Sequence, residues 1–183
     1  MQGEGLGVLT LSAADRAAAV AAVKAAQSVT LADDDALIAA FAETALGLAE
    51  QFIGAALILR DFALTLPAVT GWQLLPVTPV RAITGVSAAG AALAVDGYDV
   101  DLDARGGGWV RLHQASAAVV SVTCRAGLAA GWGDLPAPIR QGAALLAGYL
   151  YAARDTSQPP PGAVTALWRP YRGLRLEAIH ARA

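Results

Sequence analysis

ILRDFALTL, residues Ile58 to Leu66, is where the periodicity of the chain changes. Leu59, Asp61, Ala63 and Thr65 alternate with Arg60, Phe62, Leu64 and Leu66, the period of two that puts successive side chains on opposite faces of a strand. The residues before it repeat at helical spacing instead. Leu37, Ile38, Phe41, Ala45, Leu48, Phe52 and Ile53 recur at three and four, with Glu43, Glu50 and Gln51 on the other side. Asp33, Asp34 and Asp35 open this helix at the positive end of its dipole, and Gly54 is placed to end it. Further upstream, Ser12 with Asp15 three residues later forms a capping arrangement for an Ala-rich helix over Ala14 to Ala26, which carries Arg16 and Lys24.

After the change of period, Pro67, Pro76 and Pro79 cut the chain into short pieces. Val80 to Ala88, Ala91 to Val95, Trp109 to His113 and Ala118 to Arg125 read as strands, separated by Gly90, Gly97 and the run Gly106 to Gly108. Helical character returns at Leu135, with Asp134 as N-cap and Pro136 in the first turn. QPPPG, Gln158 to Gly162, is a stiff extended break, and a last short helix is expected over Val164 to Tyr171. The order helices, strands, helices predicts an α+β fold. Helices from both ends of the chain (12–57 and 134–172) form a small bundle, and an antiparallel β subdomain (58–127) is inserted between them. The 183 residues make one such unit, long enough to bury a core without staples.

Charge is unevenly spread. Residues 1–162 hold nine basic and fourteen acidic side chains, while the tail, 163–183, holds Arg169, Arg172, Arg175 and Arg182 against Glu177. Cys124 is the only cysteine, so no intrachain disulfide exists. The N-terminus lacks the basic start and apolar run of a signal peptide, and no uncharged apolar run reaches the roughly 18 residues of a bilayer span. The expectation is a protein made and used in cytoplasm, or released from it by lysis, with no membrane partner.

Candidate chemistry fails on spacing. Asp99, Asp101 and Asp103 start like a calcium loop, but Ala104 stands where the turn needs Gly and Val110 where the bidentate Glu belongs. A period-two acidic face at a strand end is the better reading. Gly106 to Gly108 lead into a strand and not a helix, so they read as a mobile turn and not a phosphate cradle. Cys124 and His113 are the one conceivable thiol–imidazole pair. With a turn near Ala117 they fall on opposite faces of one hairpin. His180 has no metal-spaced companion. No catalytic residue, cofactor or metal is therefore assigned.

Two stretches point to partners. In GDLPAPIRQGAALLAGYLYAARD, Gly133 to Asp155, no charge occurs between Gln141 and Ala153, and apolar side chains spread around most of the helical wheel. A helix that is apolar nearly all round is buried nearly all round, so either its own domain wraps it or another chain does, and Ile139, Leu145, Leu146, Tyr149 and Leu150 are the candidate contacts in the second case. The tail TALWRPYRGLRLEAIHARA interleaves aromatics with arginines, the types enriched at interface hot spots. Trp168, Arg169, Tyr171, Arg172, Leu174 and Arg175 are the candidate docking residues, placed beyond the proline break and hence outside the core. The alternative is a small nucleic-acid-binding or ligand-binding domain working through this tail.

The stretches DDDALIAAFAETALGLAEQFIGAALI, LPVTPVRAITGV, GYDVD, and VTCRAGLAAGWGDLPAPIRQGAALLAGYLYAARD followed by ALWRPYR occur together in an order that resembles the head-tail connector (adaptor) proteins of long-tailed phages, prophages and gene transfer agents. The resemblance spans roughly Thr30 to Arg172. It implies a structural, non-enzymatic virion protein at the head-tail junction, forming a ring, typically of twelve copies, beneath the portal. Such a ring joins the capsid vertex to the next neck or tail-completion protein and lets DNA pass, and the C-terminal segment reaches the portal. In a ring, a neighbouring copy would supply the second cover of the uncharged helix.

Overall fold

A computed structural model describes residues 6–28, 33–115, 117–152 and 161–173. Helix α1 (Ala13–Gln27) starts where Ser12 Oγ accepts the Asp15 amide at 3.1 Å. Helix α2 (Asp35–Ile53) stops at Gly54, whose φ of 78° sends the chain out through a left-handed cap. Helix α3 (Ala137–Ala152) begins two residues later than expected. A 3-10 turn over Trp132–Asp134 occupies the segment where Asp134 was expected as a cap, and it is Pro136 whose carbonyl accepts the first bonds. Helix α4 (Gly162–Trp168) and a 3-10 turn (Arg169–Tyr171) complete the bundle.

Between α2 and α3 the described residues form seven strands in two sheets. Strands β1 (Arg60–Pro67), β3 (Val80–Ala88), β4 (Ala91–Ala92) and β7 (Val119–Ala126) form one sheet in the order β1-β7-β3-β4. Strands β2 (Gln73–Leu74), β5 (Tyr98–Leu102) and β6 (Gly108–Leu112) form the other, in the order β2-β6-β5. All strand pairings within these two sheets are antiparallel. The inner faces meet over Val86, Val120, Val122 and Cys124 from the larger sheet and Val110, Leu112 and Leu75 from the smaller. A second core, built from Val23, Ile38, Leu46, Ile53, Ile139, Leu146 and Trp168 among others, fills the bundle.

The chain enters and leaves the β layer side by side. Leu59 donates to the Ala129 carbonyl at 2.8 Å, Ala129 to Leu57 at 3.0 Å and Leu128 to Ala56 at 2.9 Å. Gly127, at φ 154°, lies so close to the backbone of Leu59 that any side chain there would overlap it. Arg81 adds bonds to the carbonyls of Gly127 and Leu128 at 3.0 and 2.9 Å.

Two expectations about polar faces are overturned. Glu50 does not face water: it is 1% exposed, and its carboxylate binds both Arg60 Nη atoms at 2.7 and 2.8 Å and accepts the Leu57 amide at 2.7 Å. Glu43 accepts from Leu11 N and from the Arg16 guanidinium, tying the N-terminal segment and α1 to α2. Both carboxylates point toward other parts of the chain because they are seven residues apart and share a face. By length and mean hydropathy α2 is the one described helix that would reach across a bilayer, and its inner face is instead the bundle core.

Candidate functional site: interaction surfaces

Much of helix α3 is covered by its own chain, so the expectation that it needs a second copy for shelter does not hold for Ile139 and Leu146. Helices α1, α2 and α4 all pack on it. Ile139 and Leu146, expected at a subunit interface, are buried in the bundle core, and Leu145, Tyr149 and Leu150 are half-buried against that same core. Small residues make the close enclosure possible. A methyl at Gly142 would overlap the Trp168 indole, and one at Gly148 would overlap the Gln27 amide. The helix has neighbours on three sides, while Gln141, Leu145, Tyr149 and Leu150 keep some exposed surface.

Trp168 is likewise part of the core, contrary to its assignment as an exposed docking residue. It is 3% exposed, donates from Nε1 to the Ile139 carbonyl at 3.2 Å, and lies 6.1 Å from Phe52, ring centre to ring centre. The proline break does not separate this segment from the fold. Beyond Trp168 the surface changes character. Arg169, Pro170 and Arg172 are exposed and Tyr171 is half-buried; Arg172 lies over Phe52 at 5.6 Å. Leu174 and Arg175 lie outside the described residues.

The outer face of the smaller sheet is a surface that sequence reasoning missed. Register places Leu74, Trp109 and Asp101 in one row and Arg111 with Asp99 in the next. Trp72 and Leu74 are nearly half exposed, and Arg111 lies over the Trp72 ring at 5.0 Å. Asp99 binds Arg111 and His113, in that order of influence, and the two hold its carboxyl below the usual carboxylate range. Asp103 accepts the Gly107 and Arg105 amides at 2.9 and 2.8 Å and the Trp109 indole at 3.1 Å. Asp99 and Asp103 therefore serve as local braces. The glycine run leaves no room for side chains: one added at Gly106, Gly107 or Gly108 would overlap Pro79, Asp103 or Val80, respectively.

Asp103 gives a pH prediction with a definite sign. The Gly107 amide and then the Trp109 indole lower its carboxyl pKa from 3.8 in the fold. A group depressed on folding contributes fully above its unfolded value and loses that contribution as pH falls through its folded value. The Trp109 indole N–H resonance should therefore hold its position to below pH 3.8 and only then shift. Asp103→Asn should abolish that acid step; a step that persists in the variant refutes the bracing role.

Cys124 lies in the larger sheet, whereas His113 directly follows β6 of the smaller one. Strand β6 pairs with β2 and β5, not with β7, so the hairpin used to separate them does not exist. Cys124 is buried between Phe62 and Ile83, and burial, with a smaller contribution from the Asp61 charge, pushes its thiol up to about 11. His180 lies outside the described residues, and among the described residues no cluster of three metal-ligating groups occurs.

No protein-family model matches the chain, and no curated protein matches it. Solved structures do. A chain in the neck of an empty gene transfer agent particle, determined with sixfold symmetry, is 27% identical with a TM-score of 0.69, over 87% of this chain and 91% of that one. A chain of the native gene transfer agent virion is 25% identical with a TM-score of 0.71, over 93% and 96%. The fold is that of a gene transfer agent neck component. A third neck chain, from a native particle determined with twelvefold symmetry, shares the fold at 24% identity and a TM-score of 0.70, over 94% and 98%. The likeness takes in both the bundle and the β layer, and it agrees with the connector resemblance carried by the sequence.

Proposed function

We propose that this chain is a structural component of a particle neck: a head-tail connector at the virion head-tail junction, made in the cytoplasm of a bacterial host. Copies form a ring beneath the portal, twelve in number, that joins the capsid vertex to the next neck or tail-completion protein and leaves a channel for DNA. The observation carrying this reading is the match over nearly the whole of both chains to a component of a sixfold-symmetric neck. The side chains agree with a role without catalysis. The aspartates at 99 and 103 and the glutamates at 43 and 50 are spent on structural bonds, and the one thiol is buried and protonated. The acidic balance of residues 1–162 suits a conduit, because a wall that bound phosphate tightly would retain the genome.

Docking to the portal falls to the exposed end of the described chain, Arg169, Tyr171 and Arg172, continuing to Leu174 and Arg175. Trp168 acts from beneath, anchoring this segment to α3. Arg169→Glu with Arg172→Glu should leave the thermal transition of the purified chain unchanged. It should lower the yield of tailed particles about tenfold, the factor that some 1.4 kcal/mol of docking energy represents. Electron micrographs should show DNA-filled heads without tails; a normal tailed yield refutes the docking role. Removing 174–183 tests the tail and keeps the buried Val164 and Trp168, whereas removing 163–183 takes both away. Salt-dependent DNA affinity lost with 174–183 would favour a nucleic-acid-binding tail instead.

A further inference from the structure

With both α2 glutamates engaged by their own chain, the outward side of that helix carries no charge. Leu37, Ala40, Thr44, Leu48 and Gln51 follow one another at three and four residues along it, flanked by Phe41 and Gly47. Leu37 is 48% exposed and Leu48 42%. The Thr44 hydroxyl donates to the Ala40 carbonyl at 2.9 Å, so its bonding capacity is turned back onto the helix. At Gly47 no atom lies within 4 Å of where a side chain would begin, leaving room for a neighbour to approach. From Leu37 to Gln51 the stripe runs for about 20 Å at the rise of an α-helix.

A single exposed leucine is ordinary, but an uncharged stripe of this length on the longest described helix is what a partner covers. The outer face of the larger sheet provides an internal contrast. There Asp61, Thr65, Thr123 and Arg125 are exposed, a polar and charged row unlike the α2 stripe. The symmetric neck that shares this fold indicates what the cover is: identical copies, each turning one patch to a different patch on the next. We propose that the outward face of α2, from Leu37 to Gln51, packs against a second copy of this chain in the assembled ring. The proposal rests on the neck reading and names the surface that reading needs. It differs from the α3 contacts expected from the sequence, of which Ile139 and Leu146 are buried within their own chain.

The test places a photoreactive phenylalanine at position 48 of the full chain, in cells that make particles. Purified particles are illuminated and cross-linked peptides are identified by mass spectrometry. The expected product joins position 48 to a peptide of a second copy, giving a ladder of multimers. A cross-link only to another particle protein overturns the proposal. So does no cross-link from a chain that is present in the particles, and in both cases the neck reading stands. Absence of the unmodified chain from particles overturns the neck reading and this surface with it. As a second arm, Leu37→Glu with Leu48→Glu should leave the purified chain folded, with an unchanged thermal transition, and lower its incorporation into particles about tenfold or more. Normal incorporation of that folded variant overturns the proposal.

Discussion

Replacing Arg60 by alanine is expected to lower stability by about 3–5 kcal/mol, because it strands the Glu50 carboxylate in the interior without its counter-charge. For a chain of this length that corresponds to a fall in Tm of roughly 10 °C. The size of the effect follows from position. Glu50 sits on α2, Arg60 opens β1, and the guanidinium also reaches the Ile58 and Leu6 carbonyls at 3.2 and 2.8 Å, so one fork joins the bundle, the β layer and the N-terminal segment. The proof that charge and not bulk is responsible is a rescue. Glu50→Gln keeps an acceptor for the Leu57 amide but leaves no net charge to strand. In the Arg60→Ala background it should recover on the order of half of the loss. Urea denaturation followed by circular dichroism measures both; a double variant no more stable than Arg60→Ala alone refutes the electrostatic account.

Trp168→Ala is expected to cost about 3–5 kcal/mol as well, by emptying the space between α3, α4 and Phe52. Trp168→Phe keeps a ring against Phe52 and loses the bond to the Ile139 carbonyl, and should cost only about 1 kcal/mol. The same denaturation experiment ranks the two. If the alanine variant matches the native chain, residues 161–173 are not part of the folded core. Because Arg169 and Arg172 follow directly, Trp168→Ala should also impair docking, but with a fall in stability that Arg169→Glu with Arg172→Glu does not show. The two variants together separate the anchor from the contact.

The elements were legible wherever local chemistry decides them. Ser12 and Asp15 mark the start of α1, Gly54 ends α2, and the change of period at Ile58 marks the β layer; each depends on residues within a turn of one another. What was not legible depends on partners far along the chain. The assignment of β6 and β7 to separate sheets is not encoded in either strand, since both alternate equally well. Strand β2 is two residues long and gives no periodicity to read. Helix α3 carried a usable signal that pointed the other way: Gly142 and Gly148 cost a helix about 1 kcal/mol each against alanine, which makes sense only if something packs closely there. Glu43 and Glu50 gave the corresponding signal for α2. Their spacing of seven places them on one side, and that side is the inner one, leaving the outward stripe without charge.

The pairing of Ala56–Leu59 with Leu128–Ala129 has an architectural consequence. The β layer is held at its base by two adjacent, hydrogen-bonded threads, so its termini are a fixed short distance apart whatever lies between them. Lengthening or exchanging its loops alters neither the spacing of those threads nor the helices they spring from, since loop length weighs only weakly on closure. The scaffold therefore behaves as a socket that can take different cassettes, and adaptation to a new neighbouring component can proceed in the cassette while the helical base remains as it is.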